Sequence, residues 1–365
     1  MFDYQKMKHL ILYFHKINLL CCPSDQYYCV MTLMLLTGMD MSTCDATSLS
    51  KDRESLVMMQ LCKLEDQFTM SQTFKVFAGS YNVNGQSPPN TMLLDWLAVD
   101  QEPPDLYVLG FQELDLSKEA FLFAESIKED EWTAMVKASL HTEAKYSLVK
   151  SIRLIGMLLL VYTREEHVAH VSNISVDTVG TGIMGQLGNK GGVGISLRFH
   201  ATDLCFVNSH LAAHPEFVDR RNQDYHSICS RMTFSQYEKL SRDCPIFGVK
   251  RIKDFDTVIW VGDLNYRLND IDVNEVKEML AEENIATILE SDQFKHQQQQ
   301  RKAFVEFQEG TITFRPTYKY DVGTDEWDSS EKNRAPAWCD RVLWKGDIVT
   351  QTAYRSHMTL LVNIH

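Results

Sequence analysis

The sequence predicts a layered α/β domain, and three observations carry that prediction. From Phe74 onward, short apolar runs alternate with longer stretches whose apolar residues recur at helical spacing. Glycine and proline punctuate the joins between them. With 44% hydrophobic and 23% charged residues over 365 positions, the composition is that of a globular chain able to bury a large core.

The elements follow in order. Residues 1–66 differ from the rest: two apolar runs, His9 to Cys22 and Tyr27 to Met39, are separated by Pro23-Ser-Asp25. Both fall short of the roughly eighteen residues that cross a bilayer, and the first lacks a small-residue cleavage site. The stretch is expected to be a poorly ordered leader or linker, with a membrane-associated segment or a packed helix pair as alternatives. Residues 67–365 are expected to form the working domain. Within it, runs at 74–83, 106–112, 157–162, 191–199, 204–209 and 257–262 read as strands. Helices are expected at 92–99, 117–140, 217–232 and 273–282. The polar insertion at 236–256 reads as a surface loop, and His296-Gln-Gln-Gln-Gln300 as the solvated face of a short helix. Gly180-Thr-Gly-Ile-Met-Gly185 matches a dinucleotide-binding pattern, but the residues that follow, Gln186-Leu-Gly-Asn-Lys-Gly-Gly192, cannot supply the helix that such a site requires.

Charge and cysteine usage narrow the function. A net charge of −13 argues against a non-specific nucleic-acid binder, whose affinity comes from a basic surface. One stretch runs the other way, with Arg315, Lys319, Lys332, Arg334, Arg341 and Lys345 close together in sequence. The cysteines, 9 in all, show neither metal-ligand spacing nor a disulfide-like pattern, which fits a reducing compartment and free buried thiols.

The chemistry gathers at strand ends. Trp260-Val-Gly-Asp-Leu-Asn-Tyr-Arg-Leu268 closes an apolar strand with Asp263 and Asn265 two residues apart and so on one side. A carboxylate there can take a proton from water, and a neutral carboxamide can bind a phosphate oxygen without repelling it. Taken alone, the motif also reads as an Asx turn. Tyr81-Asn-Val-Asn-Gly85 and Gly110-Phe-Gln-Glu113 end two further strands, and Glu113 with Asn82 nearby suits a hard divalent cation that keeps most of its waters. Asn208-Ser-His-Leu-Ala-Ala-His214 places His210 where a strand leaves the core, able to donate to a phosphoryl oxygen, while His214 before Pro215 is assigned to structure. Leu187-Gly-Asn-Lys-Gly-Gly192 is a glycine-rich turn presenting Asn189 and Lys190 to an anion. Arg315-Pro-Thr-Tyr-Lys-Tyr320 and Lys332-Asn-Arg-Ala-Pro-Ala-Trp-Cys-Asp-Arg341 are proline-stiffened loops with cations suited to a multiply phosphorylated ligand.

These segments, in this order, resemble the catalytic domain of the inositol polyphosphate 5-phosphatases of the type II group, over residues from about 68 to 360. The resemblance implies an endonuclease/exonuclease/phosphatase fold, two packed mixed β-sheets flanked by helices. It implies Mg²⁺-dependent removal of the 5-phosphate from phosphatidylinositol 4,5-bisphosphate and soluble inositol polyphosphates. Glu113 would hold the metal with Asn82 close by. Asp263 would orient or deprotonate water, with Asn265 and His210 on the scissile phosphate. Tyr318, Lys319, Lys332 and Arg334 would hold the 4-phosphate, Asn189 and Lys190 the 1-phosphate side. Asp340 would orient a downstream histidine. The implied setting is cytoplasmic, peripheral on endosomal, Golgi or plasma membranes, with Rab or other trafficking proteins as partners of longer relatives, and no nucleic acid.

The chain departs from that family at its end. Relatives continue through Ser-Asp-His-Lys-Pro into a closing strand, whereas here Ser356-His-Met-Thr-Leu-Leu-Val-Asn-Ile-His365 ends the sequence. By register His365 takes the catalytic histidine's place and Ile364 that of the aspartate. The resemblance therefore implies a truncated domain with an unpaired sheet edge. A loosely held terminal histidine also implies impaired turnover, since a misplacement of about an ångström can cost roughly a hundredfold. A catalytically impaired phosphoinositide-binding fragment is the alternative function, and a nuclease of the same superfamily is a third, disfavoured by the acidic charge.

Overall fold

The computed structural model describes residues 9–21, 70–115, 126–241, 244–321, 324 and 326–357, with side chains for all but 9–21, 70 and 236–247. Two six-stranded sheets stack face to face. The first runs β14-β1-β2-β3-β5-β4, built from β1 (His9–Cys21), β2 (Met70–Asn82), β3 (Leu106–Gln112), β4 (Tyr146–Leu154), β5 (Met157–Arg164) and β14 (Val349–His357). The second runs β12-β13-β11-β8-β7-β6, from β6 (Val171–Gly180), β7 (Gly191–Phe199), β8 (Thr202–His210), β11 (Thr257–Asp263), β12 (Gln308–Glu309) and β13 (Asp340–Lys345). Both sheets are mixed: β2 runs parallel to β3 and β8 parallel to β11, while the other pairs are antiparallel. A separate ribbon pairs β9 (Thr233–Ser241) with β10 (Cys244–Arg251).

The apolar runs sort by alternation into three layers of core. Val76, Ala78, Val108, Leu159 and Val161 face inward from the first sheet onto Val193, Ile195, Phe206, Ile259 and Val261 of the second. The alternate residues of the first sheet, Phe77, Tyr81, Tyr107, Leu109 and Phe111, pack outward under Trp96 of α1 (Leu94–Leu97) and Trp132 of α2 (Ile127–Ser139). On the far face of the second sheet, Cys205, Val207 and Trp260 meet Ile228 of α3 (Val218–Arg231) and Phe294 of α6 (Gln293–Gln299). Strands covered on both faces carry continuous apolar runs, which is why β3, β5 and β11 were legible as strands. Two more helices, α4 (Val273–Ala281) and α5 (Ile285–Ile288), lie between β11 and α6. The side chain of Asp272 caps α4 by accepting from the backbone of Asn274 and Glu275.

Several expectations need correction. The insertion at 236–256 is largely the β9–β10 ribbon rather than a loop; a two-stranded ladder can form without the continuous apolar run that marks a buried strand. Strands β4, β6, β13 and β14 also went unread. The helix expected at 117–140 is Ile127–Ser139, and 116–125 lie outside the described residues. Within the stretch expected to be a leader, His9–Cys21 forms a strand paired antiparallel with both β2 and β14. The other residues of 1–66 lie outside the described residues.

Not every basic residue of the 315–345 stretch serves a ligand. Arg341 is fully buried, pairing with Asp292 through Nη2 and with Glu309 through Nη1 at 2.8 Å, while Tyr354 of β14 donates to Glu309 at 2.9 Å. Lys345 donates to the carbonyls of Lys253 and Phe255 at the other end of β13. Three cysteines with described side chains, Cys205, Cys229 and Cys339, are free and buried, as expected.

Candidate active site

Three adjacent strands of the second sheet bring the expected residues level. Asp263, the last residue of β11, is registered opposite His210 at the end of β8 and opposite Asp340 at the start of β13. On β7, Gly191 pairs with His210, which delivers Lys190 to the same level. In the first sheet, Asn82 pairs with Gln112, so Asn82 and the following Glu113 also stand at strand ends. Face-to-face packing closes the two sets: Asn82 Nδ2 donates to Asp263 Oδ2 at 3.1 Å across the gap between sheets.

Distances within the cluster are short. His210 Nε2 lies 3.3 Å from Asp263 Oδ2 and 3.8 Å from Glu113 Oε1, and the Lys190 ammonium contacts the same imidazole nitrogen. Gly262, φ +148°, lies immediately before the carboxylate, and a Cβ there would meet backbone atoms of Ser209. Glu113 and Asn265 both hold left-handed backbones, φ +53° and +56°, a cost that non-glycine residues bear only where surroundings enforce it. Asn265 is tied on every side: its N–H donates to Asp263 Oδ1 at 3.0 Å, its Nδ2 to the Leu211 carbonyl at 3.1 Å, and its Oδ1 accepts from Arg267.

Electrostatics keep the carboxylate ionised. Burial alone would push Asp263 upward, but His210, Lys190 and Arg267 together hold its carboxyl down at about 2. Burial also draws the Lys190 ammonium below its ordinary value, opposed by Asp263 and Glu113. The cluster thus presents the carboxyl groups of Asp263 and Glu113 beside several cationic or N–H donors.

Glu113 presents a carboxyl group at the edge of the cluster. Its carboxylate is partly exposed, and among the described residues no lysine or arginine pairs with it. A hard divalent cation that keeps most of its waters needs little more than this one carboxylate, with Asp263 at hand. Asn82 Oδ1 accepts from the Asn84 N–H at 3.0 Å, and its Nδ2 serves Asp263. A tighter acid–histidine cluster, Asp105, Glu166 and His167, lies elsewhere, but Arg164 already supplies its cation at 3.3 Å and 3.1 Å from the two carboxylates.

The outer residues fall into two groups. Asn189 and Lys190 line a cavity of about 610 Å³ bordered by Gly182, Ile183, Met184, His214, Phe217 and Arg220. The Gly180 to Gly185 segment ends β6 and enters a single 3₁₀ turn, with no helix after it, so the dinucleotide reading is excluded. Across the site, the Tyr318 ring stacks under Arg267, with the guanidinium carbon 3.8 Å from its centre. Lys319 is half-buried and Lys332 exposed, while Arg334 is bound to Asp328 at 3.1 Å. Asp340 is buried next to Asp263, its N–H donating to Thr317 Oγ1 at 3.2 Å, and His365 lies outside the described residues. Arg267 was part of a motif that sequence reading singled out, yet it was given no role there. Its tight hold on Asn265 is visible only in three dimensions.

Two mixed sheets thus bring acid, imidazole and amide side chains together at their strand ends. The chain belongs to the endonuclease/exonuclease/phosphatase family: the pattern of Endonuclease/Exonuclease/phosphatase family 2 matches residues 79–365. It is 51% identical over 313 residues to mouse type II inositol 1,4,5-trisphosphate 5-phosphatase, covering 86% of this chain and 31% of that protein. The chain therefore spans about a third of that relative's length. The crystal structure of the inositol polyphosphate 5-phosphatase domain of SPsynaptojanin, in complex with inositol (1,4)-bisphosphate and calcium ion, superposes with a TM-score of 0.69 at 35% identity, covering 80% of this chain and 82% of that one. Cimex nitrophorin shares the fold at a TM-score of 0.56 and 23% identity, covering 74% of this chain and 86% of its own. Fold alone therefore does not choose the chemistry, and the site must.

Proposed function

We propose that the chain hydrolyses the 5-phosphate of phosphatidylinositol 4,5-bisphosphate and related inositol polyphosphates, with Mg²⁺ as cofactor. The convergence of Asp263, His210, Asn82 and Glu113 from strand ends of both sheets carries this reading. Asp263, kept ionised, orients the attacking water and accepts its proton, an arrangement worth most when the geometry is preset. His210 and Asn265 hold the scissile phosphate, and Lys190 adds positive charge where the transition state gains negative charge. Glu113 would hold the Mg²⁺, which would supply further charge neutralisation for the phosphoryl group. Tyr318, Lys319, Lys332 and Arg334 receive the 4-phosphate, while Asn189 and Lys190 border the 1-phosphate side. Asp340, buried beside Asp263, is placed to orient a downstream histidine.

A membrane-presented substrate fits the rim of the site. Ile183 and Met184 are 64% and 95% exposed, and together with half-exposed Phe217 they surround the cavity that holds Asn189 and Lys190. Apolar side chains grouped at a site mouth favour a lipid surface. No helix among the described residues is long and apolar enough to cross a membrane. Peripheral attachment to the cytosolic face of endosomal, Golgi or plasma membranes, with trafficking proteins such as Rab as partners of longer relatives, is part of the same proposal.

The test is phosphate release from vesicles bearing phosphatidylinositol 4,5-bisphosphate and from soluble inositol 1,4,5-trisphosphate. Release that requires Mg²⁺, stops with a chelator and disappears in Asp263→Ala supports the reading. A folded chain that frees no phosphate from either ester overturns it.

A further inference from the structure

Arg267 is a buried cation that makes no direct ion pair among the described residues, with Asp263 acting on it only at longer range. It is 8% exposed, and among the described residues no carboxylate lies within ion-pair distance. Its fellow arginines are treated otherwise. Arg341 has Asp292 and Glu309, Arg334 has Asp328, and buried Arg221 donates to three backbone carbonyls and to Gln293 Oε1. Leaving a guanidinium in a low-dielectric site costs stability, so its position needs another explanation.

Its contacts connect the two halves of the site. On one side Nε donates to the Asn265 carbonyl at 3.1 Å and Nη2 donates to Asn265 Oδ1, a two-pronged grip on the residue beside Asp263. On the other, its flat face covers the Tyr318 ring at 3.8 Å. Its backbone is held in turn: Gln293 Oε1 accepts from the Arg267 N–H at 2.9 Å, and the Arg267 carbonyl accepts from the Gln293 N–H at 2.9 Å. Anchored this way, the guanidinium has little freedom to follow one neighbour without moving the other.

We propose that Arg267 is a positioning residue that makes hydrolysis at one phosphate depend on a phosphate at the neighbouring ring position. The inference rests on the 5-phosphatase reading above. A phosphate bound by the Tyr318–Lys319 loop fixes the Tyr318 ring, the ring fixes the guanidinium by cation–π contact, and the guanidinium fixes the Asn265 carboxamide against the scissile phosphate. Lysine cannot replace it, because an ammonium offers neither the planar face nor the fork.

The experiment compares inositol 1,4,5-trisphosphate with inositol 1,5-bisphosphate, which lacks only the neighbouring phosphate. The parent chain, Arg267→Lys and Arg267→Gln are assayed with Mg²⁺, each checked for an unchanged thermal midpoint. Arg267→Gln keeps an N–H donor for Asn265 and carries the test if the lysine variant does not fold. The expected result is a fall of at least about tenfold in the trisphosphate-to-bisphosphate ratio of kcat/KM, the order of one desolvated cation–π contact. A variant that slows both substrates equally, leaving the ratio unchanged, overturns the inference and assigns Arg267 a purely structural role. A parent that turns over neither substrate overturns the underlying function instead, so the two failures are distinct.

Discussion

Gln112 Nε2 donates to Asn208 Oδ1 at 2.6 Å, and this buried bond pins the two sheets together directly beneath the site. Gln112 immediately precedes Glu113, and Asn208 lies two residues before His210. Asn208 Nδ2 adds bonds to the carbonyls of Phe111 and Leu158, both at 2.9 Å, so one carboxamide joins strands of both sheets. Asn208→Leu removes all three bonds, leaving Gln112 Nε2 only Ser80 Oγ at 3.2 Å, and each buried polar group stranded by such a change costs about 1–3 kcal/mol. Denaturant midpoints should show the loss, and phosphate release should fall by roughly a hundredfold, as for misplaced catalytic groups. Normal turnover in a destabilised variant would refute the positional argument.

Arg341 makes a second buried network whose disruption should be severe. Arg341→Met strands Asp292 and Glu309 in the core, and breaking a buried pair by removing one partner costs about 3–5 kcal/mol. The triple change Arg341→Met, Asp292→Leu, Glu309→Leu should recover most of that. A residual loss of about 1 kcal/mol is expected because Asp292 also caps α6 by accepting from the Lys295 N–H. Urea unfolding of the three proteins measures the difference; a triple variant no better than the single one contradicts the network's role.

His200 should make stability fall on mild acidification. Burial, and then the neighbouring His170 and His167, lower its pKa from 6.5 to about 4, with nearby Asp105 opposing. The folded state therefore prefers the neutral ring. Its contribution is complete above the unfolded value of 6.5 and declines as pH drops toward 4. His200→Asn suits the left-handed backbone there, φ +53°, and removes the titration. Thermal midpoints between those pH values should fall less steeply in the variant; parallel curves would exclude His200 as the source.

The exposed rim should separate lipid from soluble substrate. Ile183→Asp with Met184→Asp removes apolar side chains that lie outside the reacting cluster. Inserting such side chains into an apolar phase is worth about 1.5–3 kcal/mol each. Turnover on vesicles should drop by about tenfold or more, while turnover of inositol 1,4,5-trisphosphate stays unchanged. Equal losses on both substrates would show that the loop acts on the site itself.

Much of this was legible in local sequence. The apolar runs of β3, β5, β8 and β11 announced themselves because strands buried on both faces need unbroken hydrophobicity. Asp263, Asn265, His210 and Glu113 were readable because each stands at the end of such a run. The edge strands β4 and β6 escaped notice because half-exposed positions mix polar and apolar residues. The fate of the basic residues was equally hidden: Arg334 pairs with Asp328 nearby, whereas Arg341 finds partners 49 and 32 positions away.

What the chain's order of residues determined by itself was the chemistry available: which strand ends carry a carboxylate, an amide, an imidazole or a cation. Which of these meet was decided only by the packing of one sheet on the other. Asn82 reaches Asp263 across 181 positions, and Gln112 reaches Asn208 across 96. Periodicity is a short-range property of a sequence, but hydrogen bonds between stacked sheets depend on register and distance in three dimensions. The same physics explains Arg267, whose hold on Asn265 and Tyr318 no local pattern could reveal.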